Sequence, residues 1–398
     1  MGPGLPLAGV TVLDLSAVIM GPWATHQLAQ MGASVWKVEA PAGDTMRHAD
    51  ECGHPGMAPM FRHANRGKRS IVLDLKHPGG LSACLRLAAR ADVLVHNIRP
   101  QAAARLGLGW EAIRAANPAI ICASLTGFSS DGPLAGRPAY DDLIQGAAGL
   151  AAMFDPPRYV PALVADRYVG MAAAAAILAA LVEARATGRG RAIEVPMFET
   201  MAELVLADHL NGWTFDPPTG PTGYSRITSP NRRPYRTADG WVCLIVYTER
   251  HWRRFFASVG EEERFLADPV LRSAEARRAD FDRVYGLVAE IVARHPTAFW
   301  LEVGAREDIP VLPLATVETL VDDPQLKAAG VLRATTNADG HTERALASPV
   351  RWDRVRTPLA PAPALGAHTR AVLAEAGLAQ DEIDALIASG AAVQAPQA

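Results

Sequence analysis

VTVLDLS (residues 10–16), GPWATHQLAQMG (21–32) and SVWKVEA (34–40) follow one another near the start of the chain. The first and third stretches are apolar and β-branched, and the middle one has helical composition. Strand, helix and strand at that spacing predict a βαβ unit with parallel strands. The pattern continues through a strand at SIVLDL (70–75), a helix at GGLSACLRLAARA (79–91), and strands at DVLVHNI (92–98), AIICASLTG (119–127) and RAIEVPMF (191–198). Nearly unbroken apolar strands fit a sheet covered on both faces. The expectation is an α/β fold with a mostly parallel sheet.

The chain has 398 residues, 49% hydrophobic and 20% charged, enough for a sizeable core and about two or three domains. Its 39 Lys+Arg against 42 Asp+Glu leave no electrostatic footprint for nucleic acid. Four scattered cysteines, with no CxxC, suit free thiols in a reducing cytoplasm. No basic, apolar leader precedes the first strand. The longest uncharged apolar stretch, Tyr168 to Val182, is 15 residues, which predicts a buried core helix and no membrane span. Alanine-rich residues 167–187 read as that helix, with Gly188 as its stop. Residues 212–240 are rich in Pro, Gly and Thr and read as a linker, after which WVCLIVYT (241–248) restarts regular structure.

Familiar nucleotide and hydrolase fingerprints are missing. Gly21 stands alone after the first strand, so there is no GxGxxG, and neither GxxxxGK[ST] nor GxSxG occurs. His48, Cys52, His54 and His63 match no zinc spacing, and no metal is expected. Asp166, in VPALVADRYVGM (160–171), is a carboxylate in an apolar setting and needs a reason to be there. It reads locally as a helix N-cap, and the helix dipole would also favour an anion at that place. Asp141 and Asp142 are adjacent, so they point apart and read as structural.

Five stretches carry a resemblance: 12–47 (VLDLSAVIMGPWATHQLAQMGASVWKVEAPAGDTMR), 65–80 (NRGKRSIVLDLKHPGG), 91–128, 131–150 (DGPLAGRPAYDDLIQGAAGL), and 160–171 with 187–199. In this order they resemble the family III CoA-transferases, the CaiB/BaiF or formyl-CoA transferase-like superfamily. The resemblance implies a Rossmann-like large domain plus a smaller α+β domain, in an interlocked homodimer. The expected organisation is a large CoA-binding domain (1–211), a linker (212–240), a small domain (241–330), and a return linker with helices completing the large domain (331–398).

The resemblance makes Asp166 the nucleophile. It would attack an acyl-CoA carbonyl, form a mixed anhydride, become an aspartyl-CoA thioester, and pass CoA to a free carboxylic acid. With an ordinary aspartate pKa of about 3.9 it would be ionised at pH 7 and need no base. Coenzyme A enters as substrate, and no permanently bound cofactor is implied. Its contacts are implied at Val18, Ile19, Leu73, Lys76, Asn97, Ile98 and Arg105, with Arg47 and Arg99 among the phosphate-binding cations. Arg66, Lys68 and Arg69 read equally as phosphate contacts or solvated charges. Tyr140 and Gln145 would line the thioester end.

Two alternatives share this sequence. A 2-methylacyl-CoA racemase needs two bases, and relatives of that kind carry His where Tyr140 stands. A CoA-ester-binding protein without turnover is the other. TGPTGYSR (219–226) is a poor match to the glycine-rich loop of some transferases, and Tyr224 or Arg226 could reach the acyl group.

Overall fold

The computed structural model describes residues 4–336, 342–358 and 360–396. Six strands, β1 (Thr11–Asp14), β2 (Ser34–Glu39), β3 (Arg69–Leu73), β4 (Val93–His96), β5 (Ile121–Thr126) and β6 (Ala192–Pro196), pair in parallel. A short strand, Ala392–Val393, joins β3 antiparallel and makes the sheet seven-stranded. The parallel order is β3-β2-β1-β4-β5-β6, so the chain reverses direction across the sheet between β1 and β4.

Side chains two residues apart share a face of a strand. Val12, Val93, Val95, Ile121, Ala123 and Leu125 therefore pack in one core layer, with the first helix (Met20–Gln30) and the alanine-rich helix (Val164–Thr187). Leu13, Leu94 and Cys122 face the other layer, with the helix Pro78–Ala88 and the helices Thr369–Glu375 and Gln380–Ala388.

The alanine-rich helix is long and apolar enough to cross a membrane. Here it lies against the first helix, where a Cβ on Gly170 would come within 2.7 Å of the Met20 carbonyl oxygen. Gly188 closes the helix with φ +70°, a conformation only glycine adopts without cost.

Two compact units are present: residues 1–205 with 325–398, and residues 206–324. The second unit has a three-stranded antiparallel sheet (Tyr235–Arg236, Trp241–Leu244, Val311–Pro313) and its own core around Phe255, Phe256 and Trp300. Residues 212–240, expected as a linker, belong to this unit and supply one of its strands. Within 331–398, read partly as a return linker, an antiparallel hairpin forms from Leu332–Thr336 and Thr342–Leu346.

Candidate active site

The turn after β1 is the centre of the sheet's carboxyl edge. Val18 sits there at φ +70°, an outlier for a β-branched residue. Such strain persists only when the surroundings over-determine it. Asn97, just after β4, accepts from Ala17 N (3.0 Å) and donates to Ala17 O (2.8 Å). Asp44 accepts from Val18 N (3.2 Å), and Lys37 Nζ donates to Ser16 O (2.9 Å).

Beneath the turn lies a buried charge network. Lys68 pairs with Asp14 at 2.9 Å and Lys37 with Asp44 at 3.0 Å, all four side chains almost wholly shielded from solvent. Burial would raise the Asp14 carboxyl, but Lys68, Lys37 and the hydroxyls of Ser16 and Thr25 outweigh it and hold it well below the usual range. Burial pulls the Lys68 ammonium down to about 8, against the pull of Asp14.

Two cavities flank Ala17. One, of about 300 Å³, reaches from Val18 past Asn97, Ile98 and Arg99 to Tyr140. The other, of about 270 Å³, includes Leu73 and Lys76. They lie on either side of the point where strand order reverses, the place at which open parallel sheets bind ligands. Arg137 lines the first cavity as well, and nothing in its local sequence singled it out.

Other residues lie differently from expectation. Ile19 is fully buried. Arg105 is exposed and lines neither cavity. Arg47 is buried and spends its guanidinium on Glu39, at 2.7 and 2.8 Å, over the face of Phe61. That pair belongs to the scaffold, so Arg47 is not free for phosphate. Lys68 is committed to Asp14, and Arg69 to Glu375 at 2.6 Å.

Asp166 lies in the first turn of the alanine-rich helix, and the N-cap position belongs to Leu163. The local reading of Asp166 as the cap is thus corrected. The capping acceptor comes from another helix: Asp141 Oδ1 accepts from Ala165 N (2.9 Å) and Asp166 N (3.2 Å). Gln145, expected in the substrate pocket, is fully buried instead. It donates to Asp141 (2.9 Å) and Ala162 O (3.2 Å) and accepts from Val160 N (2.9 Å), so it pins the approach to Asp166.

Asp166 is 9% exposed. Among the described residues, no group donates a hydrogen bond to its carboxylate or pairs with it. Burial and the neighbouring Asp141 push its pKa up to about 7, with Arg167 opposing. The expectation of an ordinary, fully ionised aspartate is therefore corrected. Arg167 lies over the Trp23 ring, 3.9 Å from its centroid.

These features define a class: a parallel α/β enzyme fold with ligand space at its switch point and, at Asp166, a carboxyl whose pKa is raised, although Asp166 itself lines neither cavity. The particular family follows from comparison. A family model for CoA-transferase family III matches residues 7–369, and the chain belongs to that family.

Among curated proteins it is 31% identical to a succinate–glutarate CoA-transferase of Agrobacterium fabrum, over 93% of this chain and 95% of that one. It is 30% identical to the formyl-CoA:oxalate CoA-transferase of Escherichia coli, over 96% and 98%. Among solved structures, Rv3272 from Mycobacterium tuberculosis superposes with TM-score 0.80 at 26% identity, covering 93% of this chain and all of that one. A CaiB/BaiF family protein from Brucella suis does so with TM-score 0.79 at 28% identity, covering 94% and 100%.

Proposed function

We propose that this family III CoA-transferase moves CoA from an acyl-CoA to a free carboxylic acid through covalent intermediates on Asp166. The observation that carries the reading is an unpaired, largely buried carboxyl beside a second carboxylate, at a fixed place in a helix first turn. An Asp166 oxygen attacks the thioester carbonyl, the C–S bond breaks, and CoA leaves as thiolate. The thiolate then attacks the aspartyl carbonyl of the mixed anhydride. The donor acid leaves as carboxylate, and Asp166 becomes a CoA thioester.

The acceptor carboxylate attacks that thioester and forms a second anhydride, releasing CoA thiolate again. Attack of the thiolate on the acceptor carbonyl yields the new acyl-CoA and frees Asp166. Each exchange replaces one hard displacement with easier ones. A carboxylate with pKa near 7 is a stronger nucleophile than an ordinary one, and half of it is ionised at neutral pH.

The two cavities beside Ala17 offer room for the nucleotide end of CoA, with Lys76, Arg99 and Arg137 as cations for its phosphates. Relatives named for oxalate and for succinate and glutarate favour a short dicarboxylic acid as one partner. The exposed apolar residues Tyr168, Met171 and Val182 on the alanine-rich helix support burial in a homodimer, interlocked as in the family. We place the enzyme in the cytoplasm on its free cysteines.

The test is to incubate the enzyme with a panel of acyl-CoAs, quench with hydroxylamine, and map the modified peptide by mass spectrometry. A hydroxamate at Asp166 and a loss of transfer of about a thousand-fold or more in Asp166→Asn are expected. Undiminished transfer by that variant would overturn the mechanism.

A further inference from the structure

A second group of cations lies apart from the sheet edge. The helix Pro59–Asn65 and the hairpin Leu332–Thr336/Thr342–Leu346 contribute walls to a cavity of about 280 Å³. Arg62, His63, Arg66 and Arg344 line it, and Glu343 is the one acid among its lining residues. Glu343 accepts from Arg62 Nη1 and, at 3.0 Å, from Arg66 Nη1. One carboxylate is thus shared by two guanidinium groups, and Arg344 is a further arginine on the lining.

Arg66 carries the unexplained feature. Its side chain is 4% exposed, yet Nε and Nη2 have no hydrogen-bond partner. Those two N–H groups form one edge of the guanidinium plane, the edge that grips carboxylate or phosphate with two parallel bonds. His63 Nδ1 is likewise buried and unpartnered. Buried donors left unpaired oppose folding, so an absent acceptor is the simplest account of the Arg66 edge.

Cys52 and His54 reach the same cavity, but the guanidiniums of Arg62 and Arg66 repel a cation. Among the described residues no group of His, Cys, Asp and Glu side chains is arranged to hold a metal. The basic cavity of the second unit, lined by Arg226, Arg232 and Arg233, differs. There Arg226 Nε is bound by Tyr285 at 2.9 Å, and no described buried side-chain donor lacks a partner.

We propose that the cavity between helix Pro59–Asn65 and the hairpin binds a small oxyanion, a carboxylate or phosphate group, on the free edge of Arg66 with Arg62 and Arg344 as further cations. Nothing in the transfer mechanism above uses these residues. His63 serves as the reporter. Burial, then Arg66 and Arg167, hold its pKa below the usual value, with Glu343 opposing and Arg62 adding a little, so a bound anion raises it.

The experiment titrates the full chain with inorganic phosphate and, separately, with succinate, at constant ionic strength. Calorimetry reads binding, and the His63 ring proton reads the pKa by NMR. Saturable binding of at least one anion is expected, with an upward shift at His63. Arg344→Gln should weaken binding several-fold and Arg66→Lys about ten-fold, whereas Arg232→Gln should leave it unchanged.

Phosphate binding without succinate binding assigns a phosphate-bearing ligand, and the reverse assigns a carboxylic acid. Arg344 is exposed, so its variant keeps the test alive if Arg66→Lys does not fold. Absence of saturable binding of either anion up to about 20 mM overturns the proposal. So does unchanged affinity in Arg344→Gln.

Discussion

Asp141 and Asp166 show how two carboxyls separate into roles. Asp141 accepts from the helix N–H groups and keeps the second carboxyl in a less favourable field. Asp141→Asn keeps an oxygen for those N–H groups and removes the charge. The acidic limb of kcat/KM against pH is expected near 7 in the native enzyme and at lower pH in this variant. An unmoved limb would show that another group titrates.

The stability consequence has a definite sign. A carboxyl raised from the usual 3.8 to about 7 resists ionisation in the folded state, so stability falls as pH climbs through that window. Asp166→Asn should therefore unfold at a higher temperature than the native protein at pH 8. The gap should close towards pH 4, as thermal melts across pH will show.

The apolar setting of Asp166 was legible in its sequence neighbourhood, but the carboxylate that accepts from its backbone N–H was not. That partner lies 25 residues upstream, and only the fold brings it close. Gln145 and Arg47 were misplaced for the same reason. A polar residue's type suggests a ligand contact, and only the packed structure shows that its donors are already taken.

At the scale of elements, alternation and apolar runs located every parallel strand, because burial on both faces leaves a strong signal. The antiparallel pair 332–336 and 342–346 was missed because most of its side chains are exposed and its strands lack an apolar face. Helix-to-helix contact sets the place of Asp166, since the first helix touches the alanine-rich helix one turn beyond it. Gly170→Val would drive a side chain into the Met20 carbonyl. A destabilisation of about 1–3 kcal/mol is expected, read as a lower Tm, together with weaker transfer activity because the first turn moves. A variant with native Tm would mean that the helices do not meet there.

Over the whole molecule, the second unit is one continuous segment, 206–324, with an aromatic core of its own, in which Phe255 stacks on Trp300 at 5.2 Å. Expressed alone, this segment should fold and melt in one cooperative transition by circular dichroism. A non-cooperative melt would show that its core is incomplete.

The first unit has no such continuity. Val372, Leu373, Ile383 and Ala392 cover part of the sheet whose parallel strands lie within the first 196 residues. A ribosome emitting roughly 5–20 residues per second needs on the order of ten to forty seconds between the two. Throughout that interval the nascent sheet carries a partly uncovered apolar face and an open edge at β3. Synthesis of this enzyme thus includes a waiting period in which chaperones, and other unfinished copies, compete for a surface that the finished protein conceals.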